Sequence, residues 1–137
     1  MKKIMKYLLI CILVLLYIGE SLYIGIKIKS IVSESYNTYG ENNSYSDNVS
    51  DTIFRELCYR NGYPISSYNN NDTKEINSLS FPLTTHWIFG GISTYWYTYE
   101  IYDNTGELMG GSSNIPVTIT FEIQQGKLKI IDCYEAP

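Results

Sequence analysis

The segment ISTYWYTYEIY, residues 92–102, alternates between two sets of side chains. In an extended chain, successive side chains point to opposite faces. One face then carries Tyr95, Tyr97, Tyr99 and Ile101, and the other carries Trp96, Thr98, Glu100 and Tyr102. Aromatic and β-branched residues favour strands, and alternation with period two is typical of a strand that has one face in a core. The segment therefore predicts a β-strand whose inward face is built largely of tyrosine.

Three other segments have the same character: LSFPLTTHWIF, PVTITFEIQ and KLKIIDCY, at residues 79–89, 116–124 and 127–134. In the first of them, one alternating face carries Phe81, Leu83, Trp87 and Phe89. Turn residues follow the strands at 90–91, 103–106 and 124–127, with lengths that suit antiparallel hairpins. The sequence thus predicts a four-stranded antiparallel meander.

The residues before these strands predict one helix. Ser50 or Asp51 can cap the segment DTIFRELCYRNG, in which apolar residues recur at helical spacing. Asn61 and Gly62 end this helix, and residues 65–78 form a polar loop with room for one helical turn near 73–76. The expected fold class is α+β: one helix packed on a curved four-stranded meander, cystatin-like or similar, in a domain at 51–137.

An apolar segment of 20 residues, from Tyr7 to Ile26, lies near the N-terminus. As a helix it is about 30 Å long, which matches the hydrocarbon core of a bilayer. Three lysines precede it and two follow it, so the positive-inside rule favours a cytoplasmic N-terminus. A cleaved signal peptide is the alternative, although its best cleavage site, Gly19-Glu20-Ser21, contains a charge. We expect an anchor or signal segment at 1–30, a polar linker at 31–50, and an outer domain that is held at the cell membrane or, after cleavage, secreted.

Charge is distributed unevenly along the chain. The whole protein carries −4, but beyond residue 30 there are five basic and thirteen acidic residues, a net charge of −8. Such a body repels phosphate backbones and has no Lys/Arg stripe that would neutralise them. The expected partners are therefore a membrane, through residues 7–26, and a protein or peptide, but no nucleic acid.

Residue types that carry catalysis are scarce. His86 is the only histidine, which excludes multi-histidine metal sites, Ser-His-Asp triads and Cys-His pairs built from this chain alone. We expect no metal, no cofactor and no enzymatic activity. Cys11 lies in the apolar segment, whereas Cys58 and Cys133 would both be outside, where a disulfide between them can persist; the alternative is two separately buried thiols.

The aromatic strand also offers a binding surface. The ligand-binding candidates are the outward residues Trp96, Thr98 and Tyr102, together with His86 on the neighbouring strand. Tyr and Trp suit this role because they combine apolar area with a polar tip. Sheet propensity and core packing explain the same aromatics without any ligand, so both interpretations stay open at this point.

Residues 87–137 resemble a domain of Gram-positive membrane proteins, the outer C-terminal domain of antirepressor-type metallopeptidases related to the beta-lactam sensor. The resemblance rests on four stretches: YWYTYE at 95–100, GGSS at 110–113, IPVTITF at 115–121 and YEAP at 134–137. The zinc motif H-E-x-x-H of those peptidases is absent, so the resemblance implies an outer sensing or protein-contact domain without protease activity. The function expected is a non-enzymatic, membrane-anchored outer domain that binds or senses a protein, peptide or wall-derived ligand. The alternative is an accessory subunit of a membrane complex that acts through its helix.

Overall fold

The computed structural model describes residues 2–60 and 62–136. Its elements are, in chain order, α1 (Lys2–Asn37), α2 (Asp51–Glu56), β1 (Tyr59–Arg60), β2 (Tyr63–Pro64), a 3-10 turn (Ile65–Ser67), β3 (Thr73–Leu79), β4 (Leu83–Trp87), β5 (Gly90–Asp103), β6 (Leu108–Gln124) and β7 (Lys127–Glu135). The α+β class predicted from the sequence is confirmed.

The main sheet has five antiparallel strands rather than four. Their order is β3-β5-β6-β7, and β4 pairs with β5 along the same edge as β3. The strand β3 pairs with residues 97–103 of β5, and β4 pairs with residues 90–94. The segment 79–89, expected as one strand, is split at residues 80–82, because Pro82 has no N–H to donate to a ladder.

The strand β3 replaces the polar loop that was expected at residues 65–78, and no helical turn forms at 73–76. Its side chains are mostly polar because it lies at the edge of the sheet, where one side of the strand is open. Two asparagine side chains that precede β3 bind N–H groups on its unpaired side. The side-chain oxygens of Asn70 and Asn69 accept hydrogen bonds from the N–H groups of Thr73 (2.9 Å) and Glu75 (2.8 Å).

The helix α1 provides most of the helical layer on the inner face of the sheet. It continues to Asn37, seven residues into the segment that was expected as a linker. Ile24, Ile28, Ile31 and Ser35 recur at helical spacing and are buried, the first three in one core cluster with Tyr95 and Tyr97 of β5. The part of α1 from Tyr7 to Ile18 is exposed and strongly apolar. The helix is long and apolar enough to cross a membrane, a property that signal sequences share.

The helix α2 is short and closes one end of the core. Ser50 caps it, as predicted, by accepting a hydrogen bond from the Ile53 N–H at 3.3 Å. The buried hydroxyl of Ser35 donates to the Phe54 carbonyl at 2.5 Å and joins α2 to α1. Residues 38–50 are no free linker, because Val49 is buried and the Ile130 N–H of β7 donates to the Asn48 carbonyl at 2.8 Å.

Candidate functional site

A groove of about 700 Å³ separates α1 from the edge strand β3. Side chains of α1 form one wall, and residues 74–77 with Leu79 form the other. The α1 wall consists of Lys29, Ser33, Tyr36 and Asn37. The backbone of β3 therefore borders the groove.

The backbone of β3 presents free hydrogen-bonding groups to this groove. Because Asn69 caps the Glu75 N–H, Glu75 is a non-hydrogen-bonded partner of Ile101, and the same holds for Asn77 and Tyr99 two residues on. The N–H and C=O groups of Asn77 therefore point outward, towards α1. Leu79, two residues further on, also has an outward carbonyl, but this carbonyl already accepts a hydrogen bond from the Lys29 ammonium at 3.3 Å. Within the described residues, the buried side-chain oxygen Oδ1 of Asn77 has no hydrogen-bond partner.

A buried ion pair supports the β3 wall of the groove. The guanidinium of Arg60 binds both carboxylate oxygens of Glu75, at 2.5 and 2.9 Å, and both side chains are almost fully buried. The rings of Tyr99 and Tyr68 cover the guanidinium, with centroids 3.4 and 4.4 Å from its carbon. Burial opposes the charge of Arg60, but the hydrogen bonds and charge of Glu75 outweigh it and raise the pKa of the guanidinium. The pair fixes the strand where Glu75 enters the groove.

The charge left over in the groove is positive. Arg60 neutralises the carboxylate of Glu75, and Lys29 places an ammonium at the groove from the α1 wall. Lys74 pairs with Tyr102, so its side chain lies on the outer face of the sheet. The surrounding domain is acidic, with a net charge of −8 beyond residue 30. An acidic group on a ligand would therefore be attracted to this groove more than to the rest of the surface.

Three of the predicted ligand-binding residues lie on the opposite face of the sheet. Trp96, Thr98 and Tyr102 belong to the outer row of β5, away from the core, as the alternation predicted. Trp96 and Tyr102 are six residues apart, about 20 Å along the strand, so no single pocket contains both. The Tyr102 hydroxyl donates to Glu100 at 2.7 Å, which raises the pKa of that tyrosine. These residues share a face, and Thr98 lines a cavity of about 250 Å³ with Glu100 and Gly111, but Trp96 and Tyr102 do not belong to its lining.

His86 is not part of this outer face, which corrects its assignment. It pairs with the core-facing Gly91, so its side chain points inward, against α1. Its ring stacks on Tyr17 with centroids 4.6 Å apart, and its imidazole lies 3.9 Å from the carboxylate of Glu20. The opposite row of β4 carries Leu83 and Trp87 and is exposed. On this strand the large apolar side chains lie on the exposed face, so they did not indicate which face is buried.

Cys58 and Cys133 form no disulfide in the structure, and the interpretation as buried thiols fits better. The Cys58 thiol lies against Gly40 and donates to the Arg55 carbonyl at 3.0 Å, while burial raises its pKa. Cys133 lines a separate cavity of about 180 Å³ beside α2, where burial and then nearby carboxylates raise its pKa to about 11. The two thiols thus have different surroundings.

The groove was missed at the sequence level because its parts give no local signal. Arg60 and Glu75 are 15 residues apart, and Asn77 is one of several asparagines in a polar stretch. The segment TKEINSL, residues 73–79, is polar at five of its seven positions and has no regular alternation, so it gave no local signal of a strand.

Fold and groove together define a small α+β domain that is built around a helix long and apolar enough to cross a membrane. In the comparisons with known proteins, no family model, curated protein or solved structure matches the chain. Within residues 2–60 and 62–136, no three His, Cys, Asp or Glu side chains come together as metal ligands.

Proposed function

We propose that the protein is a non-enzymatic, membrane-anchored domain that binds an extended polypeptide segment in the groove between α1 and β3. The observation that carries this proposal is the open edge of β3. The backbone groups of Asn77 point into a groove of about 700 Å³ whose other wall is a helix. Exposed sheet edges are recurrent sites of strand addition by peptides.

The expected binding mode is the addition of one strand to the sheet. The ligand backbone pairs with the N–H and C=O groups of Asn77 and with the neighbouring carbonyl of Glu75. A donor on the ligand satisfies the buried Oδ1 of Asn77. Lys29 favours an acidic side chain or a terminal carboxylate. The stretch from Glu75 to Leu79 spans about 17 Å, enough to hold about five extended ligand residues.

The proposed location is the outer surface of a cell membrane, with α1 as a single-pass anchor. The three lysines before the apolar run support a cytoplasmic N-terminus. The resemblance of residues 87–137 to an outer domain of Gram-positive membrane proteins supports the same orientation. Secretion after signal cleavage is the alternative, which an intact-mass measurement on the protein recovered from membranes distinguishes.

The test is a selection of displayed random peptides against the full-length protein in lipid nanodiscs, followed by fluorescence anisotropy of the enriched peptides. We expect acidic peptides, and we expect Asn77→Pro to weaken them about tenfold, since it removes one outward N–H worth about 1 kcal/mol and crowds the edge. Lys29→Gln should weaken them as well, because it removes the positive charge at the groove, whereas the matched control Lys129→Gln, on β7, should not.

The outer sheet face provides the contrasting outcome. If binding survives Asn77→Pro but is lost in the double variant Trp96→Ala, Tyr102→Ala, the ligand lies on the aromatic face of β5 and the groove assignment is wrong. Circular dichroism of each variant confirms that a lost signal does not reflect unfolding.

A further inference from the structure

The hairpin between β4 and β5 ends in three large apolar residues that the domain leaves exposed. Trp87, Ile88 and Phe89 retain 56%, 81% and 73% of their accessible surface. Two-residue hairpin loops normally consist of Gly, Asn or Asp, because these residues suit the turn and are well solvated. A tip built of tryptophan, isoleucine and phenylalanine therefore indicates contact with an apolar phase.

This tip points along α1 towards its exposed apolar half. The ring of Phe81, at the start of the hairpin, packs over Gly25, and His86, near the end of β4, stacks on Tyr17. From residue 81 to residue 86 the strand thus advances about 12 Å along the helix, towards the N-terminus of α1. The tip continues beyond His86 by one to three residues, roughly 3–10 Å. It ends beside the helical segment whose side chains are exposed and apolar.

The length of that segment brings the tip into the bilayer. Ile24 and Gly25 are buried inside the domain, so the apolar stretch free to enter lipid runs from Tyr7 to Gly19, between Lys6 and Glu20. These residues span about 20 Å as a helix, against about 30 Å for the hydrocarbon core. A span that is too short draws its flanking structure towards the membrane. The flanking structure on the domain side is the hairpin.

We propose that Trp87, Ile88 and Phe89 insert into the interfacial region of the outer leaflet and form a second membrane contact beside α1. This inference rests on the proposed anchoring of α1 in a membrane. Aromatic residues concentrate at that depth because their rings are apolar and their edges tolerate water. The turn between β6 and β7 lies higher along α1, where Lys127 lines a cavity with Tyr23 and Lys27, at the level expected for lipid headgroups.

The two tryptophans of the chain allow a direct test. Trp96→Phe leaves Trp87 as the only tryptophan, and Trp87→Phe leaves Trp96, which lies about 20 Å further along β5 and serves as the matched control. Each full-length variant is reconstituted into vesicles of phosphatidylcholine and phosphatidylglycerol, with or without bromine on the acyl chains. Emission is then measured, together with quenching by iodide in the aqueous phase.

We expect Trp87 to emit at shorter wavelength than Trp96, to be quenched by brominated lipid, and to be several-fold less sensitive to iodide. The variant Ile88→Asp, Phe89→Asp should abolish lipid quenching of Trp87 while the protein still floats with the vesicles. If the protein floats with the vesicles but Trp87 remains as open to iodide as Trp96, the inference is refuted and the anchoring stands. If the protein does not float with the vesicles, the anchoring is refuted and the inference falls with it.

Discussion

Replacing Glu75 by glutamine should strongly destabilise the domain, because it leaves the buried Arg60 cation without its carboxylate. Both side chains are almost fully buried, and Glu75 accepts two hydrogen bonds from the guanidinium. Removing one partner of a buried pair costs about 3–5 kcal/mol. The Tyr99 and Tyr68 rings remain over the cation and keep the expected loss near the lower end, about 3 kcal/mol.

The assay is urea unfolding of the full-length protein in non-ionic detergent, followed by tryptophan fluorescence. With an m-value of about 1.5 kcal/mol/M, a loss of about 3 kcal/mol lowers the unfolding midpoint by about 2 M. The matched control is Asp47→Asn, which breaks the exposed contact between Asp47 and Lys127 at 3.9 Å and should leave the midpoint unchanged. The double variant Arg60→Met, Glu75→Met removes both charges together and should recover most of the stability.

The reasoning would be refuted if Glu75→Gln and Asp47→Asn moved the midpoint equally little. That result would mean that water reaches the guanidinium and that the pair does not fix the wall of the groove. Peptide affinity measured on the same variants separates the two roles, since the double variant keeps the strand in place but removes both charges.

Three further outcomes are expected from the same unfolding assay. Ser35→Ala should cost about 1–3 kcal/mol, because the buried Phe54 carbonyl loses the donor that now lies 2.5 Å away. Gly91→Ala should be severely destabilising, since its Cβ would collide with the Thr85 carbonyl and the Phe121 ring, whereas Gly110→Ala, with open space around it, should be tolerated; equal losses would contradict this packing. Burial, and then the charge of Glu135, raise the pKa of the Tyr97 hydroxyl above its ordinary 10.0. Stability from Tyr97 should therefore be complete below pH 10 and decline as the pH rises further, and Tyr97→Phe should make the alkaline decline shallower; an unchanged decline in midpoints measured from pH 7 upward would contradict this assignment.

The inward and outward rows of the long strands could be predicted because core packing and strand pattern agree there. Tyr95 and Tyr97 of β5, and Val117, Ile119 and Phe121 of β6, face the core as their alternation predicted. These strands lie in the interior of the sheet, and their inward residues pack in one core cluster with Ile28 of α1 and Phe54 of α2. The alternation of these strands therefore matches the burial of their inward side chains in the protein core.

Prediction failed on β4, along α1 and at the open edge of the sheet. The strand β4 has its apolar row, with Leu83 and Trp87, on the exposed side, so the pattern assigned His86 to the wrong face. In α1, Ile24 and Ile28 continue an unbroken apolar run, and composition alone does not separate residues covered by a sheet from residues free to meet lipid. The strand β3 is polar because it pairs on one side only.

The helix α1 runs without a break from Lys2 to Asn37, so it joins the groove to the proposed membrane anchor as one rigid rod. The C-terminal half of α1 forms a wall of the groove and part of the core, and its N-terminal half is the proposed anchor. Because the helix has no hinge, a peptide bound between Lys29 and β3 that rotated the C-terminal half of α1 would rotate its N-terminal half by the same angle. Peptide binding in the groove would then rotate α1 about its own axis on the far side of the bilayer, without any movement of the domain relative to the helix.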